Sequence, residues 1–346
     1  LAEVKTIKSD IEGGSFMNMK MGMLLMLAFL FILSFSGCSN DNYDTHDSLS
    51  QIDENSGIWV IRNWHSENEV LPLNFRTVLD RLNQEGNEQL PSVEGLKDIK
   101  GSGSAQFGDN GLAEIIKRIN YPEITVIDLR QESHGLANGN AISWFTGYNQ
   151  INWNKQLHEI MTEEKLLLDN LLKEQTAKIY ELSKPTDLEE MKTGINPIEM
   201  KVNSISTEEE LCNRLKVGYM RIPVPDYQRP ADRQVDVFIE YAQMYSKKAW
   251  FHFHCHQGEG RTTTFLSMLD MMSNSSKVSF DDIIKRQYLI GGSNLFDTSN
   301  RSRWHVNQII KRTEFLDMFY EYCRENAPDF KQKWSEWLKR GCQGDS

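Results

Sequence analysis

Trp250-Phe251-His252-Phe253-His254-Cys255-His256-Gln257-Gly258-Glu259-Gly260-Arg261-Thr262 joins an apolar run to a glycine-bearing turn and then to a helical pattern. Residues 249–254 predict a buried strand and 262–272 a helix. Between them, Cys255 and Arg261 stand six apart. That spacing alone is weak, since the chain has five cysteines and many arginines. The surrounding requirements sharpen it: an apolar strand before, His254 next to the cysteine, glycines at 258 and 260, and Thr262 opening the helix. A loop whose successive amides face inward makes an anion nest, and glycine relieves the strain of winding it. The following helix adds its positive end. Negative charge is favoured in such a place, which suits a cysteine that attacks as its anion. The planar fork of Arg261 can hold two oxygens of a phosphoryl group, a geometry lysine lacks. A nucleotide-binding phosphate loop is excluded, because no Gly-Lys-Ser/Thr follows the glycines. The bland alternative is a buried cysteine on a tight turn.

Working outward, residues 219–230 read as a strand ending in a proline-stiffened loop with one carboxylate, Asp226. An acid so placed can protonate a leaving oxygen and later activate water. It also reads as a turn aspartate ahead of a helix. Strands are expected at 58–61, 124–129 and 217–224, and helices at 112–119, 153–174, 207–215, 233–245, 281–290, 306–326 and 331–338. Alternating strands and helices predict an α/β layered domain. Residues 82–110, rich in Gly, Asn, Ser and Gln, read as loop, and 177–206 as a small appended subdomain.

The chain has 346 residues with a net charge of −11, from 38 Lys+Arg against 49 Asp+Glu. It lacks the global basic field of a nucleic-acid binder, so no nucleic-acid partner is expected. A polyanionic ligand would need a local basic pocket. Five cysteines, Cys38, Cys212, Cys255, Cys323 and Cys342, are too scattered for a disulfide framework or a CxxC zinc site. Met19-Lys20 precede an apolar run over 21–36 that exits through Ser36-Gly37-Cys38. This is the pattern of a secretory signal peptide, with Met17 or Met19 as the start, and it is too short for a span of ~20 residues. Cys38 after Ser36-Gly37 resembles a bacterial lipobox, with Phe35 as a departure, so lipidation at Cys38 is expected over free secretion after Ser36. The expected layout is a leader at 1–37, a polar tether at 38–56 and a catalytic domain at 57–340. Membrane contact is expected only through that N-terminal lipid, on a protein exported from a bacterial cell.

His254-Cys255-x-x-Gly258-x-Gly260-Arg261-Thr262 is the cysteine-phosphatase signature. The wider chain resembles the bacterial protein-tyrosine-phosphatase-like inositol phosphatases, the cysteine phytases. Three further stretches are similar to that family: residues 71–77, 128–135, and Arg286-Gln287 followed by Gly291-Gly292. The resemblance implies a tyrosine-phosphatase-like central sheet flanked by helices, with a small partial β-barrel subdomain drawn from parts of 57–75 and 177–206. It implies no cofactor, no metal, and stepwise dephosphorylation of myo-inositol hexakisphosphate through a cysteinyl-phosphate.

By the same resemblance Cys255 is the nucleophile, Arg261 the phosphate-binding arginine, Asp226 the general acid and Thr262 the hydroxyl supporting the thiolate. The loop residues His256, Gln257, Gly258, Glu259 and Gly260 surround the phosphate. Arg76 stands where the family has a substrate-contacting arginine, and Arg301, His305 and Arg312 fall where the family places lysines that meet peripheral phosphates; Lys311 is expected beside Arg76, Arg301 and Arg312 around the mouth. Tyr227 replaces a common histidine, Asn149 a frequent carboxylate, and Glu259 puts an acid inside the loop, which opposes phosphate unless it points outward.

His252 and His254 share one face of a strand. His254 ordering the cysteine loop is expected over a metal pair, because no third ligand is spaced to join them. Asp128 and Arg130 are expected to pair with each other and hold the 128–135 loop. His134 and His158 read as structural, and Cys323 could pair with Cys342 in an oxidising compartment. Two other readings compete with the inositol phosphatase: an exported phosphotyrosine phosphatase, and a silent inositol-phosphate-binding lipoprotein.

Overall fold

The computed structural model describes residues 57–61, 71–84, 86, 89–146, 151–181 and 197–341. Its strands are β1 (Ile58–Ile61), β2 (Arg76–Thr77), β3 (Gly101–Ser104), β4 (Ile124–Arg130), β5 (His134–Ala137), β6 (Asn140–Phe145), β7 (Thr176–Glu181), β8 (Ile198–Lys201), β9 (Ile205–Ser206), β10 (Gly218–Val224) and β11 (Trp250–His254). The helices are α1 (Asp109–Ile119), α2 (Leu157–Glu174), α3 (Glu208–Arg214), α4 (Asp232–Tyr245), α5 (Gly260–Asn274), α6 (Phe280–Leu289), α7 (Arg303–Asn326) and α8 (Trp334–Gly341). The protein is α/β, as its alternating patterns predict. The leader, the tether, Cys38, Asn149 and Cys342 lie outside the described residues. Among the described residues no helix is long and apolar enough to cross a membrane.

The central sheet has the order β10-β4-β11-β3-β2, with the first four strands parallel and β2 antiparallel at the edge. β4 and β11 are buried at every position, which explains their nearly unbroken apolar sequence. The register sets Asp128 of β4 beside Arg221 of β10 on one side and His254 of β11 on the other. The loops leaving the carboxyl ends of β4, β10 and β11 carry Glu132, Asp226 and Cys255 respectively, the edge where open parallel sheets place their ligands.

Residues 82–110 do not form one long loop. Gly101-Ser102-Gly103-Ser104 is the buried strand β3, paired to β11. Its small residues are there for closeness. A Cβ on Gly103 would fall 2.5 Å from Thr262 Cγ2, and one on Gly101 3.1 Å from Leu266, so α5 lies almost directly on this strand. The two serines serve His252, whose Nδ1 and Nε2 lie 2.9 Å from Ser102 Oγ and 3.0 Å from Ser104 Oγ. Burial lowers the His252 pKa to about 3, so this ring is a neutral hydrogen-bonding member of the core.

A second, curled sheet of six strands, a half-barrel, runs β8-β7-β1-β6-β5-β9. It takes in 58–61, 176–181, 198–201 and 205–206, and also a β5–β6 hairpin whose tip, Asn138-Gly139, has positive φ at both residues (51° and 78°). Residues 71–75 belong elsewhere: Leu71 and Phe75 pack on the cluster of Phe107, Leu112 and Val126. Helix α2 begins at Leu157, where Glu159 Oε2 reaches back to accept from the Gln156 amide (2.6 Å), rather than near 153. Its Leu168 and Leu171 close the half-barrel core against Trp59, Ile142 and Ile179. Helix α5 is buried along nearly its whole length. Behind it Arg286 and Gln287 of α6 bind Asp270, and Arg286 also donates to the Ser92 and Glu94 carbonyls, so this motif ties the 92–94 segment to the core.

Candidate active site

Strand β11 ends at His254, and the next six residues wind into the first turn of α5. Three successive carbonyls of this loop are held from behind: His256 O by the Gln106 amide (3.2 Å), Gln257 O by Asn74 Nδ2 (2.8 Å) and Gly258 O by Arg76 Nη1 (2.8 Å). With its carbonyls turned that way, the loop presents its amides to the other side. Gly258 is required twice over, by its φ of +74° and because a Cβ would lie 2.3 Å from the Ser104 carbonyl carbon.

A cavity of about 270 Å³ opens over the loop, lined by Cys255, Arg261 and Asp226 among others. Arg261 is almost fully buried and donates through Nη1 and Nη2 to both oxygens of Glu132 (2.7 and 2.9 Å). Nη1 also reaches the Val224 carbonyl at 3.1 Å, and Nη2 lies 3.0 Å from Asp226. Its Nε is buried with no hydrogen-bond partner. Glu132 sits between two guanidiniums, since Arg130 Nε donates to it at 2.9 Å. Burial alone would raise the Glu132 pKa, but Arg261 and Arg130 hold it well below the usual carboxylate range. Two of the three arms of Arg261 are thus fixed, and one donor is left over for an anion.

The chain is similar in sequence and fold to known proteins. A family model for protein-tyrosine-phosphatase-like (PTP-like) phytases, described by inositol hexakisphosphate, matches residues 127–273. The PTP-like myo-inositol phosphatase of Mitsuokella multacida, solved with myo-inositol-(1,3,4,5)-tetrakisphosphate, superposes with a TM-score of 0.75 at 33% identity, over 83% of this chain and 48% of that one. A PTP-like phytase from Bdellovibrio bacteriovorus superposes with a TM-score of 0.63 at 29% identity, over 82% of this chain and 95% of that one. In sequence and fold the chain is similar to the PTP-like phytases. It is also 26% identical to effector protein hopD2 of Pseudomonas syringae pv. tomato over 277 residues, 77% of this chain and 54% of that protein. The chain therefore spans about half the length of the first of these curated relatives and of the Mitsuokella structure.

Within the cavity, the walls contain most of the residues singled out from sequence. His256, Gln257, Glu259 and Gly260 come from the loop, Tyr227 from the segment after β10, and Arg301, His305 and Arg312 from the region of α7. Tyr227 adopts φ of +65° and meets the His305 ring edge-on at 4.6 Å. The Arg312 guanidinium lies against Gly260, where a Cβ would come within 3.0 Å of it. Burial and the nearby Arg301 lower the Arg312 pKa to about 10. Thr262 Oγ1 is fully buried without a hydrogen-bond partner. Phe145, Ser293, Asn294 and Asp297 also line the cavity, and nothing in their local sequence marks them.

Other expected residues lie elsewhere. Arg76 is not on the wall: it is 2% exposed, and it donates to the Asn74 carbonyl (2.9 Å), Gly258 O and Thr263 Oγ1 (3.0 Å). It braces the loop from beneath. Gly258 shapes the loop without lining the cavity, and Lys311 is exposed outside it. His158 is exposed, and Cys323 is a buried thiol.

Asp128 and Arg130 do not pair through their side chains. Arg130 is taken by Glu132, Gln106 and Ser143. Asp128 instead faces Arg221 Nε (3.1 Å), the Tyr219 hydroxyl (2.9 Å) and His134 Nε2 (3.3 Å), the first because register places Arg221 beside it. Glu208, in the first turn of α3, completes this buried network: it lies 2.5 Å from His254 Nε2 and 3.4 Å from His134 Nε2. Burial opposes charge on His134, yet Asp128 overrides it and raises the pKa to about 9. His254 is thus anchored from behind the nucleophile by Glu208, a residue that reads in sequence as one of three ordinary first-turn glutamates.

Among the described residues, Asp128, Glu208 and His254 have the composition of a metal site. Their geometry is that of an ion-pair network. Ligands of one tetrahedral ion with ~2.0 Å bonds stand about 3.3 Å apart, whereas Glu208 and His254 are 2.5 Å apart. Arg221 and His134 already face the carboxylates.

Proposed function

We propose that this protein hydrolyses phosphomonoesters of myo-inositol through a cysteinyl-phosphate. The observation that carries the reading is Arg261: its Nη atoms are fixed by a buried carboxylate, its Nε is unpartnered, and it shares a cavity with Cys255 and the only acid on the adjoining 225–230 segment, Asp226. A phosphoryl group set on the loop amides and the free donor of Arg261 has its oxygens neutralised as charge spreads over them. Cys255 Sγ attacks phosphorus in line, the P–O bond to the inositol carbon's oxygen breaks, and Asp226 supplies the proton to that oxygen. In the second half-reaction Asp226 takes a proton from water, which attacks the same phosphorus and returns the thiolate.

Two finer points belong to the same proposal. The substrates belong to the series that descends from myo-inositol hexakisphosphate by loss of one phosphate at a time, a reading supported by the family model and by the tetrakisphosphate held in the Mitsuokella relative. Export by the 19–36 leader, with an anchor at Cys38, is supported by the sequence pattern there.

The test is phosphate release by residues 39–346, with reductant and EDTA, from inositol hexakisphosphate, lower inositol phosphates and a phosphotyrosine peptide, beside Cys255→Ser. Cys255-dependent, EDTA-resistant release from inositol phosphates is expected. Preference for the peptide would replace the substrate, and activity surviving in Cys255→Ser would overturn the mechanism.

A further inference from the structure

Outside the reaction centre, the cavity is electrically balanced. Arg261 and Asp226 belong to the reacting phosphate. The other charged side chains among the described wall residues are Arg301 and Arg312 against Glu259 and Asp297, two of each sign. Burial and the neighbouring Arg301 lower the His305 pKa, which works against a third cation there.

The two carboxylates both line the cavity. Asp297 accepts from Ser299 N (2.9 Å) and Ser299 Oγ (2.5 Å), which pulls its pKa below the ordinary value. It stands close enough to Arg301 for the two charges to act on each other. Glu259 is an exposed member of the loop that holds the reacting phosphate, flanked by Gly258 and Gly260. A phosphomonoester carries about −1.5 to −2 charges at neutral pH, so six of them bring roughly −9 to −12. Among the described residues the wall outside the reaction centre has no net charge, and it meets one or two peripheral phosphates with Arg301 and Arg312. Further phosphates then face Glu259 and Asp297.

We infer that Glu259 and Asp297 are specificity-determining residues that select inositol phosphates bearing few phosphates, two to four, over the hexakisphosphate. This rests on the inositol phosphatase reading above and narrows it: the chain would consume products that another phosphatase has already partly stripped.

The experiment is kcat/KM for myo-inositol bis-, tetrakis- and hexakisphosphate at constant ionic strength, in the wild-type protein, Glu259→Gln, Asp297→Asn and the double variant. The wild type is expected to favour the bis- and tetrakisphosphates. Each substitution is expected to raise the hexakis-to-bis ratio roughly 3-fold or more, the size of a few exposed like-charge contacts, and the double variant further. Glu321→Gln, which removes an exposed charge paired to Arg324 on α7, controls for net charge and should leave the ratio alone. A wild type that is fastest on the hexakisphosphate, or a ratio that neither substitution moves, overturns the inference and leaves the inositol phosphatase standing. Hydrolysis of a phosphotyrosine peptide with none of any inositol phosphate overturns both.

Discussion

Asp226 Oδ1 lies 3.0 Å from Arg261 Nη2, so the carboxylate holds ground that a phosphate oxygen also needs. The proposed acid and the phosphate-binding cation are partners before they are catalysts. A phosphate oxygen that reached Nη2, as well as the unpartnered Nε, would compete with Asp226 for it.

Asp226→Asn separates these two roles. It removes a negative charge facing the anion and keeps the size of the side chain. Turnover is expected to fall by about 10²- to 10⁴-fold, the usual weight of a general acid, while inorganic phosphate binds more tightly. Steady-state kinetics and a phosphate titration of the same preparation check this. Weaker phosphate binding would show that the pair with Arg261 is supportive rather than competitive.

Glu132 fixes Arg261 without lining the cavity. In Glu132→Gln two buried guanidiniums share one neutral amide. Breaking a buried pair by removing one partner typically costs ~3–5 kcal/mol. The denaturation midpoint should drop accordingly, and kcat should fall more than 10-fold in the protein that remains folded. Rescue by Glu132→Asp should be partial, because a shorter carboxylate cannot reach both Nη atoms of Arg261 and Nε of Arg130.

The network behind the nucleophile gives stability a pH window. His134 has its pKa raised from 6.5 to about 9, so its contribution is complete below about 6.5 and is lost as pH rises through 9. Glu208 is lowered from 4.5 to about 2, where burial is outweighed by His254 and His134. Its contribution is present above about 4.5 and lost as pH falls toward 2. Asp128 and Glu132 are lowered in the same direction. Thermal midpoints measured from pH 3 to 10 should be highest near pH 5 to 6.5 and decline on both sides. His134→Gln should flatten the alkaline decline, and an unchanged slope in that variant would place its origin elsewhere.

Sequence patterns reveal the elements whose burial leaves a period or an apolar run. β4 and β11 are buried on both faces, and the Thr207 cap of α3 is satisfied by its own capping box. Cys255, Arg261 and Asp226 stand out because a phosphate loop needs fixed residue types at fixed spacing. What escapes is set by contacts distant in the chain. Glu132 and Glu208 look like surface acids until register brings Arg261, His254 and His134 to them. The β5–β6 hairpin did carry a signal, Asn138-Gly139 between short apolar runs, the pair best suited to a turn with positive φ at both centres. Strand β3 carried the opposite of one: Gly and Ser read as loop because strand propensity reflects packing in an ordinary sheet, whereas here a helix lies almost in contact with the backbone.

That close approach leaves no room for a side chain at Gly103. Gly103 has an ordinary backbone conformation, so alanine there costs nothing in φ. The added Cβ would sit 2.5 Å from Thr262 Cγ2 and 3.2 Å from Leu266, both on α5, and 3.4 Å from the Phe253 carbonyl. The strand is pinned between β11 and β2 and cannot retreat, so α5 must shift by several tenths of an ångström at the end that carries Arg261. Overpacking of this kind costs about 1–3 kcal/mol, a modest loss for a domain of this size, whereas a phosphate cradle misplaced by even a fraction of an ångström loses much of its rate. Gly103→Ala is therefore expected to fold, with a midpoint a few degrees lower, and to lose 10-fold or more in kcat. Equal activity in a folded Gly103→Ala protein would mean that α5 is free to move without carrying Arg261 with it.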